Sequence, residues 1–231
     1  MFSFKGLILK APFAKFRLFL SLKGPKPEDL KADVVFLVDS SSSVTSIGFN
    51  LEKKFVKAMA RSLNVSPDKS RASVIVYGSS HDVVMSLERF TSLDIFKSFV
   101  DNATYIDGPR RMDLALEAAA AVMNRARENI PKVVILLTAG EQSSTNKQDP
   151  LSNAVKPLRD LRVQTFVVSI GSDPDKQELF SVVEDPRDIF EVPSFEALLP
   201  ETRQITKSIA GRSRKLVYLF QCKYSRVPQL F

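Results

Sequence analysis

Cysteine, histidine and tryptophan are nearly missing from this chain of 231 residues, which has one Cys, one His and no Trp. A disulfide framework and a cysteine zinc site both need several sulfurs, so Cys222 supports neither within one chain. Pairing of this thiol with another chain stays open. His81 follows a Gly-Ser-Ser turn, and we interpret it as a loop residue. One histidine supplies neither a multi-histidine metal site nor an ordinary Ser-His-Asp triad.

Long apolar runs are also missing, and no stretch of 18 apolar residues predicts a transmembrane helix. The N-terminal segment is apolar and basic, but Lys5, Lys10, Lys15 and Arg17 divide it into runs shorter than the core of a secretory signal. No small-residue cleavage site is clear. Three interpretations stay open: an amphipathic membrane-surface segment, a presequence, or residues outside the natural mature protein.

The net charge of +7 is concentrated at the two ends of the sequence. Residues 1–31 and residues 211–231 each carry a net charge of +5, which leaves −3 for residues 32–210. We therefore divide the chain into a basic apolar leader with a Gly/Pro linker (1–31), one domain (32–210) and a basic tail (211–231). An acidic domain without aromatic residues on a basic face argues against nucleic-acid binding.

Short apolar strands alternate with amphipathic helices along the domain. Residues 33–38 form a nearly continuous β-branched and aromatic run, which is typical of a strand buried on both faces of a parallel sheet. Similar runs predict strands at 72–77, 132–138 and 164–170, with an antiparallel edge candidate at 83–87. Helices are predicted at 49–63, 93–102, 112–128, 150–161, 175–183 and 194–209. This order predicts an α/β fold, doubly wound, with a mostly parallel sheet and helices on both faces.

The loop after the first strand carries the best candidate for a binding site. In such sheets, ligands bind beyond the carboxyl ends of the strands. Asp39, Ser41 and Ser43 alternate there, so that three oxygens can point to one place. Oxygen ligands of this kind suit Mg²⁺, Ca²⁺ or Mn²⁺. The alternative is a polar loop whose hydroxyls cap the next helix.

The first part of the domain resembles the start of a von Willebrand factor type A (vWA) domain, with its metal-ion-dependent adhesion site. In both, a strand is followed by Asp-x-Ser-x-Ser and then by a helix. The resemblance extends over residues 32–210, because later landmarks follow in order at 71–77, 105–108, 115–116, 133–140, 166–171, 178–179 and 190–199. It is strongest to the domains of matrix proteins of the matrilin and collagen VI type. The resemblance implies a Rossmann-like fold and a role in adhesion.

Two positions depart from the pattern of the metal-binding members of the family. These have Thr where this chain has Arg110, and Thr-Asp-Gly where this chain has Ala139 as the middle residue. Like charges near 4 Å cost about 1 kcal/mol in water and about 4 kcal/mol at an effective dielectric constant of about 20. We therefore expect no cofactor, with Mg²⁺ or another divalent cation bound weakly at most. Our hypothesis is that Arg110 or Arg111 pairs with Asp39 instead.

Other acidic residues are poor replacements for the missing ligands. Asp107 lies in the Gly-containing loop, Asp113 falls in the first turn of a predicted helix, where capping explains it, and Glu141 is expected to face solvent. Asn64 and Asn102 begin glycosylation sequons, which matter only if the protein is secreted.

The sequence favours a non-catalytic adhesion or protein-interaction module of extracellular-matrix type with a degenerate metal site. The expected partner is an extracellular protein such as collagen or another matrix protein, and the chain can be one module of a larger protein. An intracellular vWA scaffold is the alternative, and a metal-using α/β enzyme is less favoured because no phosphate loop or nucleophile elbow is present. In the tail, the apolar run 216–220 fits a strand, a membrane-surface contact or the beginning of a neighbouring segment.

Overall fold

The computed structural model describes residues 30–143, 151–171 and 176–224, with side chains up to Ser213. It contains a six-stranded sheet with strands β1 Asp33–Asp39, β2 Arg71–Tyr77, β3 His81–Met85, β4 Lys132–Thr138, β5 Val163–Ile170 and β6 Ile189–Val192. The helices are α1 Thr45–Ser62, α2 Leu93–Asp101, α3 Met112–Met123, α4 Leu151–Asp160, α5 Lys176–Val182 and α6 Leu198–Tyr224. None of the helices in these ranges has the length and apolar character needed to cross a membrane.

The sheet has the strand order β3-β2-β1-β4-β5-β6, and only the β2–β3 pair is antiparallel. The chain winds outward from β1 to β3 and then returns to β4 on the other side of β1. The direction of winding therefore reverses between β1 and β4, which is where open α/β sheets bind their ligands. The predicted fold class and the antiparallel edge strand are confirmed.

Both faces of the sheet are buried, because the side chains of each strand alternate between two apolar layers. In β1, Val34, Phe36 and Val38 contact one layer, whereas Val35 and Leu37 contact the other. Helices α1, α2 and α6 cover the first face, and α3, α4 and α5 cover the second. The burial of β1 on both sides explains its continuous apolar sequence.

The predicted elements differ from the observed ones mainly at their ends. The first helix begins at Thr45, four residues before the prediction, and α3 ends at Met123, five residues earlier than predicted. The sequence analysis also missed β6, whose four residues include the exposed Glu191. A strand this short and half-exposed has too weak a hydrophobic pattern to be recognised.

The prediction that the last helix ends at residue 209 is wrong, since α6 continues to Tyr224. Gly211 lies within this helix although glycine is a frequent terminator, and Ile209 and Ala210 before it are buried against the sheet. The strand considered for residues 216–220 is wrong as well, because the backbone is helical there.

Three loops meet at the carboxyl end of β1 and β2, and Gly78 makes their close approach possible. The amide of Asp107 donates to the Ser40 carbonyl at 2.9 Å, and the amide of Ser79 donates to the Asp107 carbonyl at 2.9 Å. A Cβ atom at Gly78 would lie 2.6 Å from that Asp107 carbonyl oxygen. Glycine is therefore required at position 78 for steric reasons.

We expect Gly78→Ala to lower the free energy of unfolding by about 1–3 kcal/mol, because the backbone of the neighbouring loop must shift. The matched control is Gly211→Ala, where no atom lies within 4 Å of the added Cβ. Replacing this helical glycine should stabilise the protein by about 0.5–1 kcal/mol. Urea unfolding followed by circular dichroism measures both, and a neutral Gly78→Ala would contradict the steric argument.

Candidate functional site

Asp39 is the centre of a group of polar side chains at the carboxyl ends of β1 and β4. It is the last residue of β1 and is 0% exposed. One carboxylate oxygen, Oδ1, accepts from the Ser41 amide at 2.9 Å, which closes a tight turn. The Ser41 and Ser43 hydroxyl oxygens lie 3.1 Å apart. The alternating spacing therefore brings these three residues together, as the sequence predicts.

Arg110 occupies the space beside these oxygens. Its Nε donates to Asp39 Oδ2 at 2.6 Å, one terminal nitrogen donates to Ser43 Oγ, and the other donates to the Glu141 carbonyl at 2.9 Å. The residue is only 7% exposed, so the ion pair with Asp39 is buried. The hypothesis of an internal Arg–Asp pair is confirmed. All three guanidinium nitrogens have an acceptor within the protein.

Ala139 and Gly140, which follow β4, shape the other side of this pair. The Ala139 amide donates to Asp39 Oδ2 at 3.3 Å, so that oxygen accepts from two donors. A Cβ atom at Gly140 would lie 2.9 Å from Arg110 Nη1, and the residue has a φ of 151°. The small side chains at both positions leave room for the guanidinium.

The loop after β4 is held against the loop of Arg110 by backbone and side-chain hydrogen bonds. The Arg110 amide donates to Ser143 Oγ at 2.8 Å, and the Ser143 amide donates to the Arg110 carbonyl at 3.0 Å. Gln142 Oε1 accepts from the Met112 amide at 2.6 Å, and the Gln142 amide donates to Glu178 at 2.9 Å. These bonds fix the backbone on either side of the ion pair.

Glu52 is a second buried carboxyl group, and it lies beneath the ion pair. It is 0% exposed on α1, and its Oε2 accepts from the Asp39 amide at 3.0 Å, whereas its Oε1 has no hydrogen-bond partner. Burial, followed by the negative charge of Asp39, raises the pKa of Glu52 well above its usual value. Burial thus favours the neutral form of Glu52, and Asp39 is the carboxylate that Arg110 bonds to directly.

Arg111 does not reach Asp39 but pairs with Asp113 at 2.6 Å. Burial pushes the pKa of Asp113 up, but hydrogen bonds from Arg111 and Gln142 outweigh it, so the pKa lies below its usual value. Asp107 and Glu141 are exposed at the surface. Within the described ranges, no group of three His, Cys, Asp or Glu side chains has the geometry to hold a metal ion.

Both sequon asparagines are exposed at the ends of helices. Asn64 follows α1 with a φ of 51°, and Asn102 caps the end of α2. Because both side chains are exposed, the fold leaves room for a glycan at each position. Glycosylation itself stays a prediction.

The sequence model of the von Willebrand factor type A domain matches residues 33–205. This chain belongs to the von Willebrand factor type A domain family. The predicted resemblance is therefore confirmed over nearly all of the described fold.

Relatives of this vWA domain are extracellular-matrix proteins. Matrilin-1 of Gallus gallus is 30% identical over 158 residues, which are 67% of this chain and 31% of matrilin-1. The collagen alpha-4(VI) chain of Mus musculus is 24% identical over 208 residues, 87% of this chain and 9% of the collagen chain. The chain thus spans a third or less of the length of these relatives.

A solved structure of similar fold is that of proximal thread matrix protein 1 from the mussel byssus. Its form with a zinc-occupied MIDAS motif, the metal-ion-dependent adhesion site, has a TM-score of 0.70 and 25% identity. The match covers 79% of this chain and 46% of the mussel chain.

The sequence analysis missed Glu52, Gln142 and Ser143 as members of the site. Glu52 had a detectable signal, because it falls on the apolar stripe of α1 between Phe49 and Phe55, where a carboxyl group is unusual. Gln142 and Ser143 lie in an irregular polar loop, and their partners depend on how that loop folds.

We expect Arg110→Met to lower the free energy of unfolding by about 3–5 kcal/mol, because the charge of Asp39 would stay buried without its partner. Arg187→Met is the matched control, since Arg187 pairs with Asp185 at the surface with 73% of its side chain exposed. The control should change the free energy of unfolding little. Equal effects of the two substitutions in urea unfolding would show that the Arg110 pair has no special role.

Proposed function

We propose that this domain is a non-catalytic protein-interaction module of extracellular-matrix type, which binds its partner without a metal ion. The observation that carries the proposal is the bonding of Arg110 to Asp39 and Ser43. A permanent positive charge of the chain itself takes the place of the divalent cation. The face formed by the loops at the carboxyl end of the sheet keeps its shape and can serve as the contact surface.

The side chains present do not fit a divalent cation. Mg²⁺ and Ca²⁺ need six or more oxygen ligands, most of them unobstructed. Here Asp39 Oδ2 accepts from Arg110 Nε at 2.6 Å, and Ser43 Oγ accepts from the same guanidinium. The missing Thr and Asp side chains at positions 110 and 139 remove further oxygens. The zinc-occupied site of the mussel protein belongs to a relative that is 25% identical to this chain.

The same bonding argues against catalysis at this site. A nucleophilic hydroxyl needs a base within hydrogen-bond reach. The Ser41 hydroxyl has Ser43 Oγ as its neighbour at 3.1 Å, and the Asp39 carboxylate is neutralised by Arg110. The metal-using enzyme is therefore the less favoured hypothesis.

An extracellular address follows from the kind of relatives that the chain has, since matrilin-1 and the collagen VI chain are matrix proteins. We accordingly propose an extracellular protein, such as a collagen or another matrix protein, as the partner. The chain matches only a small part of the length of these relatives, which supports the proposal that it is one module of a larger protein. Glycans on Asn64 or Asn102 in the native protein would separate this reading from an intracellular scaffold.

Isothermal titration of Mg²⁺ and Mn²⁺ into the chain tests the metal-free site. We expect the wild type to show no binding with a dissociation constant of tens of micromolar or tighter. Such a constant corresponds to a binding free energy on the order of 6 kcal/mol. The double variant Arg110→Thr/Ala139→Asp should bind Mn²⁺, because it removes the guanidinium and adds a hydroxyl and a carboxylate.

Asp39→Ala in the double variant is the control, and it should abolish the new affinity. Tight binding of Mg²⁺ to the wild type that Asp39→Ala removes would overturn the metal-free site.

A second experiment tests the contact surface by surface plasmon resonance over immobilised matrix proteins, beginning with a fibrillar collagen and collagen VI. We expect saturable binding that is the same in EDTA and in Mg²⁺. Ile47, 72% exposed in the first turn of α1, lies at the proposed surface. Ile47→Asp should weaken binding about tenfold, because it places a charge in the contact.

Ile95→Asp is the matched control, because Ile95 is 45% exposed in the first turn of α2 at the opposite end of the sheet. It should leave the affinity unchanged. Binding that needs Mg²⁺, or equal losses for both variants, would contradict the proposal.

A further inference from the structure

We propose that the face at the carboxyl end of the sheet binds the basic C-terminal segment of a second copy of this chain, so that copies associate head to tail. The inference uses the surface of the proposed function and adds a partner to it.

Among the described residues, the unpaired exposed charges of this face are negative. Four exposed carboxylates lie in the loops at the carboxyl end or beside them: Asp82, Asp107, Glu141 and Glu196. In the described part of these loops, the cations Arg110, Arg111 and Lys176 are each paired with a carboxylate. The face therefore carries uncompensated negative charge.

Two of these carboxylates are held in their charged form. A hydrogen bond from the Gly108 amide, followed by one from Ser42, lowers the pKa of Asp107. A hydrogen bond from Ser194 lowers the pKa of Glu196. The lowered pKa values favour the charged forms of Asp107 and Glu196.

An apolar patch lies within the same face. Ile47 is 72% and Leu199 42% exposed, in the first turns of α1 and α6. The start of α1 packs closely against the turn that precedes α6, since a Cβ atom at Gly48 would lie 3.1 Å from the Phe195 ring. An apolar centre with a charged rim is the usual composition of a protein–protein interface.

The complementary segment leaves the domain at the opposite end. Helix α6 begins beside the carboxyl-end face and runs toward the amino ends of the strands, and Arg212 bonds to Asp188 at 2.9 Å just before β6. The helix has 27 residues and is about 40 Å long, whereas a seven-residue strand is about 23 Å long. The helix is therefore longer than the sheet, and its part after Arg212 adds about 18 Å in the direction away from the carboxyl-end face.

The composition of this segment matches the face in charge and in hydropathy. Residues 211–231 contain five Lys or Arg and no Asp or Glu, and the apolar run 216–220 lies among the bases. Because α6 runs away from the acidic face of its own domain as far as Tyr224, we place the contact on the face of another molecule. A contact between two different surfaces does not close into a two-fold dimer, so it predicts open chains of copies.

Sedimentation velocity of the full chain over a range of concentrations tests the inference. At about 50 mM NaCl we expect a concentration-dependent series of oligomers, and at about 500 mM NaCl mostly monomer, because salt screens the exposed charges. A chain that stays monomeric at low salt and high concentration would overturn the inference.

Variants locate the two contact surfaces. The face variant Asp82→Lys/Glu141→Lys/Glu196→Lys should lose self-association. The control Asp68→Lys/Glu128→Lys/Asp160→Lys changes the net charge equally, with three exposed carboxylates at the other edge of the sheet. It should retain self-association, and an equal loss would point to net charge alone and overturn the inference.

A tail variant, Arg214→Gln/Lys215→Gln/Lys223→Gln, removes the positive charges without creating a partner for the Lys residues of the face variant, and it should also be monomeric by itself. Mixed with the face variant, it should form 1:1 dimers and nothing larger, since each variant keeps one intact surface. Failure of the mixture to associate would exclude a head-to-tail contact. Circular dichroism confirms that every variant is folded.

The outcomes separate this inference from the proposed function. A monomeric chain that still binds a matrix protein without metal leaves the function standing and removes only the second copy as partner. Head-to-tail assembly of a chain that needs Mg²⁺ to bind matrix proteins would support the second copy as partner and contradict the metal-free function.

Discussion

The buried negative charge of Asp39 is the constraint on which this end of the molecule depends. A carboxylate at 0% exposure must be paired, since the cost of removing it from water exceeds what hydrogen bonds to two amides return. The guanidinium of Arg110 supplies the counter-charge and at the same time bonds to Ser43 and to the carbonyl of Glu141. One side chain thus ties together the loops that follow β1, precede α3 and follow β4.

The buried carboxyl group of Glu52, whose neutral form is favoured by burial, adds to this balance. If Glu52 were ionised, two buried negative charges would face one positive charge, and one of its oxygens has no hydrogen-bond donor. A raised pKa means that, at pH values above the usual Glu range, the folded chain still binds a proton that the unfolded chain has released. The stability that this proton contributes is complete below that range and is lost as the pH rises through the folded-state pKa of Glu52.

The sequence predicts the fold well because its central strands are buried on both faces and so are apolar throughout. It fails for β6, which has four residues of which only Val192 is buried, and for α6, where burial of Ile209 and Ala210 outweighs the helix-ending tendency of Gly211. In the site, alternation in one loop was enough to group Asp39, Ser41 and Ser43. The bonds of Gln142 to Met112 and Glu178 were out of reach, because they join segments whose proximity only the folded chain defines.

Arg110 is covalently part of the chain, whereas a divalent cation exchanges with the solution around it. The loops that Arg110 joins therefore acquire their arrangement when the polypeptide folds, with no later loading step. In the metal-free site that we propose, their arrangement does not vary with the calcium, magnesium or zinc concentration around the protein. A surface organised in this way has given up one means of being switched, and in return it is the same wherever and whenever the folded chain exists.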